Sequence, residues 1–400
     1  MYRTTGRQHE EIILWGFPES AYSAKLRSYF TKRGIPYVER FPVETRFKEE
    51  IQPLIGYLVV PIIELRDGLL LQDSTTTLLH FEASERSAEY PSLAPESPVQ
   101  NAVAWLLNFF GTDGFMMVGM HYRWSYIEEN KPIVGKAFMY WTSEKLTLPQ
   151  RKKEAAEMMA LLTTRTAHFG ISADTAPVIE QSWFECLEIL EKHFSAHPYL
   201  LGGKPSVADC GLMSMFHAHL ARDPHPSLVM KTKAPNVFRW TERMNQRGFF
   251  DGEFPYTAPK YFPGDELPET LIPLLRHLVA DCGEEIRETI AAFNRWTDAN
   301  DDLAQRDALG ASLLGSPDPA HTPFPSFALI EYPFRGKNVR RLGFMNTVYQ
   351  LQQVQEIADR LDAQGARRFR QVLDQVDGGW MLDLRAARRV KYAGYHYVLA

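Results

Sequence analysis

The segment FPESAYSAKLR, residues 17–27, connects a short apolar stretch to a helical one and decides how the first part of the chain folds. The preceding residues 12–15 (IILW) are typical of a buried strand. Ser20–Arg33 predicts a helix, and Gly34 is a typical stop at its carboxyl end. A second strand is expected over Tyr37–Phe41, so the opening of the chain predicts a βαβ unit.

A second group of strands follows a weak connecting segment. The apolar runs Pro61–Leu65 and Leu69–Leu71 are joined at Arg66-Asp67-Gly68, which is a good hairpin turn signal. Ser74–Ala83 then predicts another helix. The order βαβ followed by ββα predicts a small mixed sheet with helices packed on it.

The rest of the chain predicts mostly helices. Residues 84–98 form a Ser-, Pro- and Glu-rich linker, and 99–250 predict an all-α domain that includes an amphipathic helix at Glu180–Phe194. Ser206–Leu220 is almost entirely apolar or small, which favours a buried helix. After a Pro/Gly/aromatic break, 251–400 predict a mainly helical extension with one short extended segment. Its expected helices lie near Glu269–Thr297, Gly343–Leu361 and Arg367–Val376, and its extended segment lies at Phe327–Tyr332.

The turn at residues 17–27 also carries chemistry. It resembles the strand-to-helix turn of the glutathione transferase family, in which Cys-Pro-x-Cys or Ser-Pro-x-Ser holds the activating residue. The resemblance assigns that role to Ser20, with Phe17 and Tyr22 as neighbouring glutathione contacts, and the sequence departs from the family at Ala21, where proline is usual. Without a ligand, Ser20 is equally well explained as the N-cap of its helix.

A serine hydroxyl could activate the glutathione thiol by stabilising its thiolate. Ionising a thiol of pKa about 8.5 at neutral pH requires a shift of roughly 2 units, which is about 3 kcal/mol. A hydrogen bond to the charged sulfur supplies ~1.5–3 kcal/mol. The helix N-terminus adds about 0.3–1 kcal/mol, so the two effects together are roughly sufficient.

Two further features fit the same family. Val60-Pro61 opens an apolar strand. In the resembled family this proline is cis, and the residue before it pairs with the cysteinyl backbone of glutathione. The alternative is a trans proline at the start of a strand. Asp73-Ser74 resembles the acid–serine pair that holds the γ-glutamyl end, the carboxylate meeting the ammonium; an N-cap pair is the alternative. The ordered spacing, 40 residues from Ser20 to Val60 and 13 from Val60 to Asp73, makes the combination more specific than any single feature.

The segment LLGGKPSVAD, residues 200–209, resembles a conserved element of the family's helical domain. Physically it is a capping box, in which Ser206 caps a helix and Asp209 reaches back to the Ser206 amide. We therefore expect substitution of Asp209 to lower the stability of the fold before it affects activity. The electrophile pocket of the family implies His121, Tyr122 and Trp124 as its lining, and the alternative is that these side chains are core.

Composition and the positions of the cysteines and histidines argue against several other classes of function. A net charge of -5 gives nucleic-acid binding no support, and the sequence shows neither a secretory leader nor an uninterrupted apolar run long enough to span a membrane. The three cysteines, Cys186, Cys210 and Cys282, form neither a disulfide framework nor a metal site, and a cytoplasmic location is expected. His193 and His197 lack a suitable carboxylate, so no metal is expected. With no cysteine before residue 186, a thiol–disulfide oxidoreductase is disfavoured.

The tail is the basic part of the chain. Residues 333–400 contain twelve Lys and Arg against six Asp and Glu, a net +6 against -11 for the rest. Three roles are open: docking on the acidic remainder, which is favoured, covering the active site, or meeting an anionic substrate.

The resemblance covers residues 10–250 and implies a thioredoxin-like glutathione-binding domain at 1–83 followed by the all-α domain. It implies an enzyme that adds the glutathione thiol to a small hydrophobic electrophile, or a glutathione-dependent ether cleavage or isomerisation, and a homodimer as its assembly. The alternative is a non-catalytic relative that keeps the fold for glutathione binding or scaffolding.

Overall fold

A four-stranded mixed sheet forms the first part of the molecule. The computed structural model describes residues 3–84, 90–300, 309 and 325–400. In the sheet order β2-β1-β3-β4, β1 (Ile12–Trp15) is parallel to β2 (Tyr37–Arg40) and antiparallel to β3 (Ile62–Glu64), which pairs with β4 (Leu70–Gln72). Each strand was expected from the sequence, and the predicted thioredoxin-like arrangement is confirmed.

The helices of this unit are also where the sequence predicts them. Helix α1 (Ala21–Arg33) begins after Ser20 and ends at Gly34, which adopts the left-handed conformation with φ 74° that glycine tolerates best. A π-turn and the short α2 (Gln52–Ile55) fill the weak connecting segment, and α3 (Ser74–Ser84) follows β4. The carboxyl end of β1 and the amino ends of α1 and α3 therefore belong to one compact unit.

An all-α region follows and matches the predicted fold class. Its helices are α4 (Pro98–Phe109), α5 (Met116–Ser125), α6 (Ile127–Phe138), α7 (Leu148–Thr164), α8 (Ala176–Ala196), α9 (Val207–Met215), α10 (Pro224–Lys233) and α11 (Pro235–Met244). The run Pro98–Ser125 is long and apolar enough to cross a membrane, but 83% of its most apolar window is buried inside the fold, as in a core helix.

Helix α9 is central to this region, because every one of its residues is buried. The predicted capping box at its start is confirmed: the Asp209 carboxylate accepts hydrogen bonds from the Ser206 amide (2.8 Å) and hydroxyl (2.9 Å). The same carboxylate also accepts from the Leu200 amide (3.0 Å) and the Trp240 indole (3.1 Å). One buried carboxylate thus ties the loop before α9 to α9 and to α11.

The described part of the extension, residues 251–300, 309 and 325–400, contains three α-helices and two hairpins. Helices α12 (Leu271–Asp298), α13 (Met345–Asp359) and α14 (Ala363–Asp374) agree with the expected ones, and β5 (Ser326–Phe334) contains the predicted extended segment. The sequence reasoning missed β6 (Lys337–Phe344), β7 (Val390–Ala393) and β8 (His396–Leu399). Gly343 was assigned to a helix but lies in β6, because that strand pairs with β5 along its whole length.

The extension packs on the junction of the first two units. Its helix α13 contacts α3, since the Tyr349 and Thr76 hydroxyls are 2.9 Å apart, and Thr75 donates to Gln350 at 3.1 Å. Basic residues of the tail pair with acidic residues elsewhere in the chain, as the docking hypothesis expects; these pairs include Arg335–Asp281, Arg341–Glu285 and Arg368–Asp265. The last hairpin, β7–β8, packs against the amino end of α3.

Candidate functional site

Residues from the three motifs line one cavity. Tyr22 comes from the first turn of α1, Val60 and Pro61 precede β3, and Asp73 and Ser74 lie at the amino end of α3. The Val60–Pro61 peptide bond is cis. The cavity has a volume of about 70 Å³, and its remaining wall comes from a π-turn after α4 and from the extension.

Ser20 is not among the residues that line this cavity, although it lies two positions before Tyr22, which is. It is the N-cap of α1, where its hydroxyl oxygen accepts the Ser23 amide at 3.3 Å, so the capping role considered from the sequence is present. Because that bond uses an oxygen lone pair, the hydroxyl proton is still available to another acceptor. Capping and donation to a thiolate are therefore compatible.

Phe17 also lies outside the cavity lining. Its ring is buried and contacts Trp141 edge-on, with ring centroids 4.9 Å apart. The structure thus places Phe17 between the sheet and the segment after α6, where it packs the two domains together.

Tyr22 places a phenol in the cavity wall. Burial raises the pKa of Tyr22 well above its ordinary value, and the nearby carboxylates of Asp113 and Asp73 raise it further. The side chain therefore stays protonated at neutral pH. It can donate a hydrogen bond to an anion, whereas it cannot act as a phenolate base.

Asp73 is held in an uncommon backbone conformation with φ 70°. One carboxylate oxygen accepts the Thr76 amide at 2.7 Å and caps α3, and the other accepts the Tyr397 hydroxyl at 3.3 Å. The alternative role of Asp73 as a helix cap is therefore realised. The Asp73 oxygen that does not cap α3, and that a ligand ammonium would therefore meet, is the one that Tyr397 contacts.

Asp113 and Arg341 form the charged part of the opposite wall. Asp113 accepts hydrogen bonds from Asn346 (2.6 Å) and Thr347 (2.7 Å), and burial raises its pKa although both donors and Arg341 act to lower it. Arg341 pairs with Glu285 at 2.7 Å. Arg341 thus faces two carboxylates, Asp113 and Glu285.

Lys25 lies behind the site, where it is fully buried. Its ammonium donates to the hydroxyls of Thr75 (2.8 Å) and Thr112 (3.1 Å), which links α1 to α3 and to the π-turn that holds Asp113. Burial lowers the pKa of Lys25 to about 8, although Asp73 and Asp113 favour the charged form. At neutral pH this lysine supplies a positive charge on the protein side of the cavity.

The last hairpin, β7–β8, covers the side of the cavity next to β4. The Tyr395 hydroxyl donates to the Leu70 carbonyl (3.1 Å) and accepts the Arg3 amide (2.6 Å), while the Tyr57 hydroxyl donates to the Tyr395 carbonyl (3.0 Å). The His396 ring stacks on Tyr57 with centroids 5.8 Å apart. The hairpin therefore forms a wall made mainly of aromatic side chains.

His121, Tyr122 and Trp124, which were expected to line an electrophile pocket, lie elsewhere. All three are buried in the helical region and none lines this cavity. His121 contacts Glu180 at 2.9 Å, Tyr122 packs against Trp183, and Trp124 packs against Phe138. Helix α5 directs them into the core of the helical domain.

The histidines raised as metal candidates have ordinary partners. His193 contacts the Thr270 hydroxyl at 2.8 Å and the Tyr199 carbonyl at 3.2 Å, and its ring lies 5.3 Å from that of His197. Across residues 3–84, 90–300, 309 and 325–400, no three His, Cys, Asp or Glu side chains are grouped so that they could hold a metal ion.

The helical region matches a known family model. The model for the glutathione S-transferase C-terminal domain covers residues 157–243, which run from α7 to α11. Over these residues the chain is similar to the C-terminal domain of glutathione S-transferases. No curated protein matches it by sequence.

Several solved glutathione transferase structures overlap about three-fifths of the chain. The β-etherase LigF of Sphingobium sp. strain SYK-6 is 18% identical, with a TM-score of 0.42 over 59% of this chain and 95% of its own. Glutathione transferase GSTFuA3 of Phanerochaete chrysosporium is 16% identical, with a TM-score of 0.40 over 60% and 99%. The glutathione-bound transferase of Methylobacillus flagellatus KT is 15% identical, with a TM-score of 0.33 over 62% and 100%.

Sequence reasoning missed the residues that other elements bring to this cavity: Asp113, Arg341, Asn346, Tyr395 and Tyr397. Only Asp113 leaves a usable signal, because it is a single acidic residue inside a long apolar helical run. The others come from the extension, whose position on the first domain depends on contacts that no local pattern encodes.

Proposed function

We propose that this transferase-like chain binds glutathione in the cavity between α1, β3 and α3. The observation that carries the proposal is that residues from three separate stretches, Tyr22, Val60-Pro61 and Asp73-Ser74, line the same cavity. In this arrangement the Val60 backbone pairs with the cysteinyl unit. Asp73 binds the γ-glutamyl ammonium, and Ser74 with the amide end of α3 binds the adjacent carboxylate.

The proposed chemistry is activation of the glutathione thiol by Ser20. Ser20 precedes α1 and stands two residues before Tyr22, so a sulfur near Tyr22 is close to both the Ser20 hydroxyl and the helix N-terminus. The protonated Tyr22 phenol is a second donor to the same sulfur. The thiolate then attacks a small electrophile, or opens an ether by displacing its alkoxide, which takes up a proton.

Substitutions at Ser20 separate capping from activation. Ser20→Asp keeps a good N-cap but offers a negative oxygen in place of a donor, whereas Ser20→Ala loses both functions. We expect Ser20→Asp to fold normally while the pKa of bound glutathione, followed by thiolate absorbance near 240 nm, rises by about 1–2 units, the equivalent of one lost hydrogen bond to a charged group. An unchanged thiol pKa and conjugation rate in both variants would remove Ser20 from the mechanism.

Glutathione binding itself is tested by calorimetry with Asp73→Asn. Asparagine caps a helix as well as aspartate does, so α3 is preserved, but the charge that attracts the ammonium is gone. We expect at least about tenfold weaker binding, because a charge-assisted hydrogen bond contributes ~1.5–3 kcal/mol. Equal affinity of the two proteins would argue against this orientation of the ligand.

A non-catalytic glutathione-binding or scaffolding protein is the second candidate. Its scaffolding form is favoured by the engagement of Asp73 with Tyr397 and by the narrow cavity of about 70 Å³, because both leave a ligand little access to Asp73. Glutathione binding without turnover of any thiol-reactive electrophile would support this candidate over the enzyme.

The cellular setting is proposed on the same resemblance. Cys186, Cys210 and Cys282 are buried free thiols, which fits a reducing cytoplasm. The homodimer implied by the family is tested by light scattering of the purified full chain, where a monomer mass at micromolar concentration would contradict it.

A further inference from the structure

The tip of the C-terminal hairpin is inserted beside β4. Tyr395 is 1% exposed, and its hydroxyl bonds to the Leu70 carbonyl and the Arg3 amide. The Tyr57 hydroxyl holds the Tyr395 carbonyl from the other side, at 3.0 Å. The tip is therefore fixed at the edge of the cavity by hydrogen bonds to three different segments of the first domain.

The next strand of the hairpin occupies the acidic end of the cavity. The Tyr397 hydroxyl lies 3.3 Å from the Asp73 carboxylate and 3.0 Å from the Asn346 side-chain oxygen. It carries a single proton, so it donates to one of these acceptors at a time. A ligand ammonium that paired with this Asp73 oxygen would have to take the place of the Tyr397 hydroxyl.

The hairpin leaves a narrow cavity with a volume of about 70 Å³, and Tyr397 already holds its acidic end. Tyr395 and Tyr397 pack into the same buried clusters as β1, β3 and α3, so moving the hairpin costs these contacts. In the part of the chain that the structure describes, however, β7 pairs with β8 and not with the four-stranded sheet, so the wall formed by the hairpin is the one that can give way.

The hairpin is anchored at its base. The Gln352 side chain of α13 makes two hydrogen bonds to the Val390 backbone (2.9 and 3.1 Å), so the base is buried and fixed. A two-stranded hairpin is only marginally stable without further packing, so its tip depends on the cavity contacts described above. Losing those contacts would free the tip while the base stays attached.

We propose that the hairpin β7–β8 is an autoinhibitory cover of the glutathione site, in which Tyr397 competes with the ligand ammonium for Asp73 and Tyr395 fastens the tip to β4. This inference rests on the proposed glutathione binding. Glutathione then binds only the molecules whose hairpin has moved away, so its apparent dissociation constant is the intrinsic one divided by the open fraction.

Calorimetry of the full chain with reduced glutathione tests the cover. Tyr397→Phe and Tyr395→Phe each remove hydrogen bonds that hold the hairpin closed, and we expect about three- to tenfold tighter binding in each. The matched control is Tyr126→Phe, which removes a 2.6 Å tyrosine–carboxylate hydrogen bond to Glu180 in the helical domain and leaves the affinity at the wild-type value.

Hydrogen exchange of the wild-type protein supplies a second readout. If glutathione displaces the hairpin, the amides of residues 390–399 exchange faster when ligand is bound. Slower exchange, or binding by both hairpin variants that is equal to or weaker than wild type, would overturn the cover while leaving glutathione binding intact. Absence of binding by the wild type and by every variant would instead refute the proposed function, and the cover with it.

Discussion

Replacement of Asp209 by alanine tests the energetics of the buried capping box. The Asp209 carboxylate is fully buried and accepts four hydrogen bonds, from the Leu200 and Ser206 amides, the Ser206 hydroxyl and the Trp240 indole. The alanine variant leaves two backbone amides and one indole N–H without an acceptor. Each unsatisfied buried donor costs about 1–3 kcal/mol.

The net loss is smaller than the sum of these costs. Burial raises the pKa of Asp209, so removing the carboxylate also removes the cost of burying its charge, and the loop at Leu200 can relax. We therefore expect Asp209→Ala to lower the free energy of unfolding by about 3–5 kcal/mol, a loss reserved for broken buried networks. Glutathione affinity measured well below the unfolding transition should be unchanged, because Asp209 is not part of the cavity wall.

Urea unfolding followed by the fluorescence of the eight tryptophans measures this loss. The matched control is Asp362→Ala: Asp362 also caps a helix, α14, but it is exposed and accepts one amide hydrogen bond, from Gly365 at 2.7 Å. That variant should lose about 1 kcal/mol. If Asp209→Ala costs no more than Asp362→Ala, the buried network does not stabilise the fold as described.

Three further expectations concern the core. Lys25→Met should be more stable than wild type at pH 7, by up to about 3 kcal/mol, because the folded-state pKa of Lys25 lies near 8 and the unfolded one near 10.5. Between pH 8 and pH 10.5 the unfolded wild type binds more protons than the folded one, so the stability of the wild type rises with pH. Urea unfolding should therefore show a smaller stability difference between Lys25→Met and the wild type at pH 9.5 than at pH 7. Gly211→Ala places a Cβ 2.5 Å from the Asn108 Cα and should lower the free energy of unfolding by about 3 kcal/mol. Gly135→Ala, whose Cβ would have its nearest neighbour at 3.7 Å, should be neutral or stabilising. Similar melting temperatures for the two variants would contradict the close contact between α4 and α9. Burial lowers the pKa of His193 to about 4. As the pH falls below 6.5, this histidine is therefore protonated in the unfolded state before it is protonated in the folded state, and the stability of the protein falls. In the same urea assay, His193→Gln should lose less stability than the wild type between pH 7 and pH 5.

The first domain could be predicted because its signals are local. Ser20 and Gly34 mark the two ends of α1, and the Asp67-Gly68 turn joins β3 to β4. The capping box at Ser206 and Asp209 is equally local, since its residues are three apart. Such features depend on backbone conformation within one or two turns, which residue type largely determines.

The missed hairpins show where this reasoning ends. Arg335 and Gly336 both have positive φ, as do Gly394 and Tyr395, which is the conformation of tight hairpin turns. A glycine between residues of strand propensity was therefore a usable signal in both places. The position of β7–β8 over the cavity was not predictable, because it depends on contacts such as Tyr395 with Arg3, which are 392 residues apart.

The same separation has a consequence for the order in which the molecule is made. Residues 390–399 are synthesised after every other part of the cavity wall, so the first two domains can fold on the ribosome while that wall is still missing. Until the hairpin emerges, the nascent cavity stays open beside Tyr57 and Asp73. A small molecule that is abundant in the cell can therefore meet this cavity before the chain supplies its own last wall.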